Sequence, residues 1–119
     1  MNLYIHTDIE GVAGMVHFER RDDDSRRNWD IAKRMHRLLT GEVNASIEGA
    51  LQAGVDGTIL VNDAHGSGYS IIFEDLNPAA RIIHGPLTRQ PFWMPKLTVS
   101  SSSSGIFVVA TMPPRTRST

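Results

Sequence analysis

The chain has 119 residues, 40% hydrophobic and 21% charged, with a formal net charge of −1. That is the make-up of one modest globular domain, with no electrostatic reason to expect nucleic acid or an anionic membrane as partner. There is no cysteine, which excludes disulfides and thiolate-bound zinc and leaves Asp, Glu and His to hold any metal.

Residues 3–7, Leu3-Tyr4-Ile5-His6-Thr7, are short, apolar and rich in strand formers, and read as a buried strand. Gly11 and Gly14 mark a loop behind it. The charged run that follows is expected to be solvated, with Asp24 or Ser25 capping the next helix. Over residues 28–53 the apolar spacing is helical, through Ile31, Met35, Leu38, Leu39, Val43, Ile47, Ala50 and Leu51, with Gly54 as the stop. Gly41 and Gly49 weaken that helix or admit a close neighbour. Residues 58–61 predict a second buried strand, 71–76 a short helix ended by Asn77-Pro78, and 81–84 a third strand. Trp29, Phe92 and Trp93 are expected in a core or an interface.

Strand, long helix, strand is the pattern of a parallel βαβ unit, so the expected fold class is α/β with a parallel-sheet core. In such sheets ligands bind beyond the carboxyl ends of the strands. Asp8 and Glu10 follow the first strand, and Asn62-Asp63-Ala64-His65 follows the second. Adjacent parallel strands bring those ends together. In extended backbone Asp8 and Glu10 point to one side, about 6.5 to 7 Å apart along the chain, which suits a pair of metal ions about 3.5 to 4 Å apart. A lone Asp-x-Glu more often sits on an ordinary surface loop; its place at a strand end favours function. Imidazole is the commonest zinc ligand, so His65 is the natural third donor, with Asn62 and Asp63 as candidates to hold its other ring nitrogen. The bland alternative is a turn with no metal. His6 reads as a strand residue, and His17 and His36 as loop and helix-surface residues; His84 ends a strand and could approach the pocket, though a packing role is favoured. Gly66-Ser67-Gly68 lacks the lysine and the spacing of a phosphate loop.

The strand around Leu3-Tyr4-Ile5 leading to Asp8-Ile9-Glu10-Gly11, the helix around Thr40-Gly41-Glu42-Val43-Asn44-Ala45, and Leu60-Val61-Asn62-Asp63-Ala64-His65 together resemble the bacterial D-aminopeptidase family. The resemblance runs from Met1 to about Pro95. It implies a dinuclear zinc site with Asp8, Glu10 and His65 at three ligand positions, a peptide substrate of the D-amino-acid type, and a homo-oligomeric ring. It also implies a second His ligand, a Glu ligand and a catalytic His beyond Pro95. This chain carries no Asp or Glu after Asp75 and no His after His84. No catalytic residue is therefore assigned, and the parallel core is expected to be incomplete relative to the family's full catalytic domain.

Residues 1–95 are accordingly expected to form the amino-terminal part of a metallopeptidase domain. Residues 96–119 are expected to be a divergent or out-of-frame tail, with disorder as one outcome. The tail holds five consecutive serines, Ser100 to Ser104, and an Ala110-Thr111-Met112-Pro113 segment after an apolar run. Codons GGC TAC CAT GCC give the family's Gly-Tyr-His-Ala; read one base later they give Ala-Thr-Met-Pro. A frame shift near Pro95 would account for the change of character.

Two other functions compete. One is a non-catalytic remnant or assembly subunit, since a truncated sheet exposes apolar surface and an unpaired strand edge. The other is a magnesium-dependent phosphatase of the haloacid-dehalogenase type, to which Asp-x-Glu after a first strand bears a likeness; the absence of later acids argues against it. No apolar run reaches about 18 residues, so no membrane span is expected. The amino terminus lacks the basic-then-apolar order of a signal peptide, and a cytoplasmic protein is expected.

Overall fold

The computed structural model describes residues 2–15, 24–64, 68–85 and, as backbone, 106–111. Among these, four strands form one sheet in the order β3-β2-β1-β4. β1 (Asn2–Thr7), β2 (Ile59–Asn62) and β3 (Ala80–Ile83) run parallel, with His6 level with Asn62 and Asn62 level with Ile83. β4 (Ile106–Thr111) lies antiparallel on the outer edge of β1. The expected parallel α/β core is therefore present. β4 pairs along all of β1, from Asn2 level with Thr111 to Thr7 level with Ile106, and β3 is the edge strand on the other side among the described residues.

The connection from β1 to β2 is the helix α1 (Arg26–Gln52). Ser25, not Asp24, caps it: the Ser25 hydroxyl accepts from the Asn28 amide at 3.3 Å, supplying one acceptor for the otherwise unpaired first turn. Met35, Leu39, Val43 and Ile47 recur every fourth residue, so they share one face, and all are buried. They form one cluster with Leu3, Ile5, Ile59 and Val61 of the sheet. At the far end Gly54 takes a φ of +92°, while the Val55 amide bonds to Ala50 O and the Gly54 amide to Leu51 O, both at 3.1 Å. This is a Schellman stop, and glycine suits it because the left-handed conformation has no Cβ penalty there. A Cβ at Gly41 or Gly49 would meet nothing within 4 Å. Among the described residues, these two glycines therefore do not serve close packing. Trp29 is 58% exposed and lies outside the core, which leaves the interface alternative; Phe92 and Trp93 are outside the described residues.

The segment expected as a short helix at 71–76 contracts to a 3-10 turn, Phe73–Asp75. Side chains of α1 hold it in that form. The Thr40 hydroxyl accepts from the Ile72 amide at 2.9 Å. Asn44 Nδ2 donates to Asp75 O at 2.7 Å, and Asn44 Oδ1 accepts from the Asn77 amide at 2.7 Å. Backbone groups that a longer helix would pair internally are thus paired across to α1. The β2–β3 connection is fastened to the helix, which sets the end of β3 beside the end of β2. No helix among the described residues is long and apolar enough to cross a membrane.

Candidate metal site at the carboxyl ends of the parallel strands

β1 ends at Thr7 and β2 at Asn62, on adjacent parallel strands, so the residues that follow each meet at one edge of the sheet. Thr7 ties the two ends together. Its hydroxyl donates to Asn62 O at 3.2 Å and accepts from the Ala64 amide at 3.3 Å, and the residue is fully buried. That juxtaposition is the one the strand-helix-strand pattern predicts.

Asp8 is half-buried, and its backbone is still extended. Its carboxylate Oδ1 accepts from the Glu10 amide at 3.2 Å and so caps a 3-10 turn, Ile9–Gly11. The turn corrects the expected extended spacing: Glu10 lies within it and is exposed, so the pair is not the simple i, i+2 pair of a strand. The Asp8 cap causes the difference, because it draws the Glu10 amide back toward the strand end. Both carboxylates nonetheless stay at the carboxyl end of β1.

Asp63 follows β2 and is wholly buried. Its Oδ2 accepts from the Ile71 amide at 2.8 Å and lies 3.2 Å from His84 Nδ1. Burial raises the Asp63 pKa above the usual carboxylate range, opposed by the amide of Ile71 and the charge of His84. Asn62 is buried on the opposite side of the strand; its Nδ2 donates to Tyr4 Oη at 2.8 Å, and Tyr4 Oη lies 3.2 Å from His6 Nδ1. Burial likewise raises the Tyr4 phenol, with the Asn62 hydrogen bond acting in the other sense. Asn62 and Asp63 thus have partners on Tyr4, Ile71 and His84. His65, the imidazole they were expected to orient, lies outside the described residues, as does His17.

Among the described residues, three buried polar atoms have no hydrogen-bond partner: Asn62 Oδ1, Asp63 Oδ1 and Ser70 Oγ. An orphaned buried group costs about 1 to 3 kcal/mol, so native structures hold few of them. All three belong to the end of β2 or the connection behind it. Among the described residues no group of three or more His, Asp or Glu side chains could hold a metal ion. The donors described at this edge are carboxylate oxygens, a type that zinc accepts. Carboxylates stand at the end of β1, and an unpaired carboxylate oxygen stands at the end of β2, from which the chain continues to His65.

The link from Asp63 to His84 is the feature that sequence reasoning weighed least. Its signal was register: His84 follows β3 as Asp63 follows β2, on neighbouring parallel strands.

The sequence profile of the family described as D-aminopeptidase matches residues 1–111. A curated D-aminopeptidase of Bacillus subtilis (strain 168) is 33% identical over 94 residues, covering 79% of this chain and 32% of that relative. The chain therefore spans about a third of the length of the curated relative it matches. No solved structure matches it.

Proposed function

The chain belongs to the D-aminopeptidase family, and we propose that it supplies the amino-terminal half of a zinc site for peptide hydrolysis, with Asp8, Glu10 and His65 as ligands. The observation that carries this reading is the meeting of two strand ends, stapled by Thr7, with Asp8 and Glu10 on one and Asp63 leading to His65 on the other. Peptidase chemistry follows from the family. Zinc, a D-amino-acid peptide substrate, assembly into a homo-oligomer and a cytoplasmic setting are our further reading.

Zinc bound there would supply Lewis acidity, polarising the scissile carbonyl and acidifying water. The chain's own residues would prepare the site. Asp8 is oriented by its hydrogen bond from the Glu10 amide. Thr7 fixes the separation of the two strand ends through its two hydrogen bonds. Asp63, excluded from water, adds negative potential behind the position from which His65 departs. The residues from 96 onward contain no His, Asp or Glu. The chain therefore offers three of the five ligand positions that the resemblance implies, and on its own it does not complete a two-metal mechanism.

The test is release of D-alanine from a D-alanyl peptide by the purified chain, with added zinc and after exhaustive chelation. The expected result is a zinc-loaded protein with no sustained turnover. Sustained zinc-dependent turnover would overturn the half-site, and turnover that survives chelation would overturn the zinc assignment.

A further inference from the structure

Lys33 and Arg37 stand four residues apart on α1, and so on one face of it, with Asp30 three residues before Lys33. All three are exposed. Together with His36 and Ile72 they line a cleft of about 420 Å³ where α1 meets the β2–β3 connection.

Ile72 is the apolar wall, and its place is fixed from two sides. Its own amide donates to Thr40 Oγ1 at 2.9 Å, and that hydroxyl donates to His36 O at 2.8 Å. The preceding amide, of Ile71, donates to Asp63 Oδ2 at 2.8 Å. The wall is thus tied both to the helix and to the end of β2.

The charges of the cleft are mixed and ordered along the helix. Among the described residues no acid pairs with Lys33 or Arg37, and no base pairs with Asp30. At a rise of about 1.5 Å per residue, Lys33 lies about 4.5 Å and Arg37 about 10.5 Å along the axis from Asp30. An extended dipeptide spans about 7 Å from its ammonium to its carboxylate, between those two distances. Asp30 can accept from the ammonium, while Lys33 and the planar fork of Arg37 donate to the carboxylate. A peptide side chain then has Ile72 to lie on. Asp30 repels a dianion such as phosphate, and a free amino acid is too short to reach both Asp30 and Arg37.

We propose that this cleft binds a short zwitterionic peptide, with Asp30 at its amino end and Lys33 and Arg37 at its carboxylate. The proposal is independent of the zinc reading. Neither Asp8 nor Glu10 is among the described residues that line the cleft, and no metal takes part.

The experiment is an amide ¹H–¹⁵N NMR titration of the intact chain, in chelator, with L-alanyl-L-alanine, its N-acetylated and C-amidated forms, and acetate. The expected result is a saturable shift of the amides of residues 30–37 and Ile72, with each capped form binding about fivefold more weakly. Arg37→Gln should shrink the penalty of amidation and Asp30→Asn that of acetylation, both variants melting as the wild type does. No saturable shift, or equal binding of the capped forms, overturns the proposal. Equal binding of acetate reveals a simple anion site and overturns it too. Shifts centred on Asp8 to Gly11 instead place the peptide at the strand ends and overturn the separate cleft. Because zinc is withheld throughout, every outcome leaves the zinc assignment to its own test by dialysis. The capped peptides decide the matter on the wild-type chain even where a variant fails to fold.

Discussion

Under α1 the sheet meets an apolar layer: Leu3, Ile5, Ile59 and Val61 form one cluster with Met35, Leu39, Val43 and Ile47. At the carboxyl ends of the same strands, burial encloses Thr7, Asn62, Asp63 and Ser70 instead. The first region contains no polar group that needs a partner. The second keeps three oxygens without a partner among the described residues, and a carboxylate that burial disfavours. Since each orphaned group costs about 1 to 3 kcal/mol, the edge is the less stable of the two. The apolar layer provides the stability that such an edge spends. That cost falls at the strand-end edge to which the proposed site belongs.

The comparison is sharpened by substitutions on each side. The largest effect belongs to the apolar layer. Leu39→Ala removes a fully buried side chain, and urea unfolding should show a loss of about 3 kcal/mol. The same measurement on Gly68→Ala should show a loss of about 1 to 3 kcal/mol, because a Cβ meets the Gly85 backbone at a left-handed φ. That variant should also release His84 from its pose, visible as a change in its ring tautomer. A loss at Gly68 larger than at Leu39 would break the division between the two regions.

Tyr4→Phe is the next smaller case. It leaves Asn62 Nδ2 without its acceptor, at a cost of about 1 kcal/mol. It also carries a pH signature. Burial raises the Tyr4 pKa in the folded chain. Below pH of about 10 the phenol is neutral in both states and its contribution is complete. As pH rises beyond that, the unfolded chain ionises first, so stability falls toward the folded pKa. Thermal melting from pH 9 to 11 should show that alkaline decline, and Tyr4→Phe should flatten it. The smallest effect has the opposite sign. At Gly49 an added Cβ meets no described atom within 4 Å, so Gly49→Ala should raise stability by about 0.5 to 1 kcal/mol. A loss there would mean that α1 packs against something on that face.

Much of the scaffold was legible in the sequence. The four-residue apolar spacing from Met35 to Ile47, Gly54 as the stop, and the strand formers around Ile5, Val61 and Ile82 are local signals, and they mark α1, β1, β2 and β3. Placing Asp8 beside the end of β2 required only that the two strands be parallel neighbours. The remainder depended on partners far along the chain. The 3-10 turn at Glu10 follows from which amide the Asp8 carboxylate captures. The contraction of 71–76 follows from Thr40 and Asn44, about 30 residues earlier. The antiparallel pairing of β4 with β1 joins segments about 100 residues apart. The Asp63–His84 contact needs the register of β2 and β3. None of these leaves a periodic trace in the residues themselves.

The most direct test of the half-site is the zinc content of the purified chain after equilibrium dialysis, set against the Asp8→Asn, Glu10→Gln double variant. The expected result is zinc retained by the wild-type chain and lost from a double variant that still melts cooperatively. Equal zinc in both proteins, or none in the wild type, would contradict the assignment of the strand-end carboxylates as metal ligands.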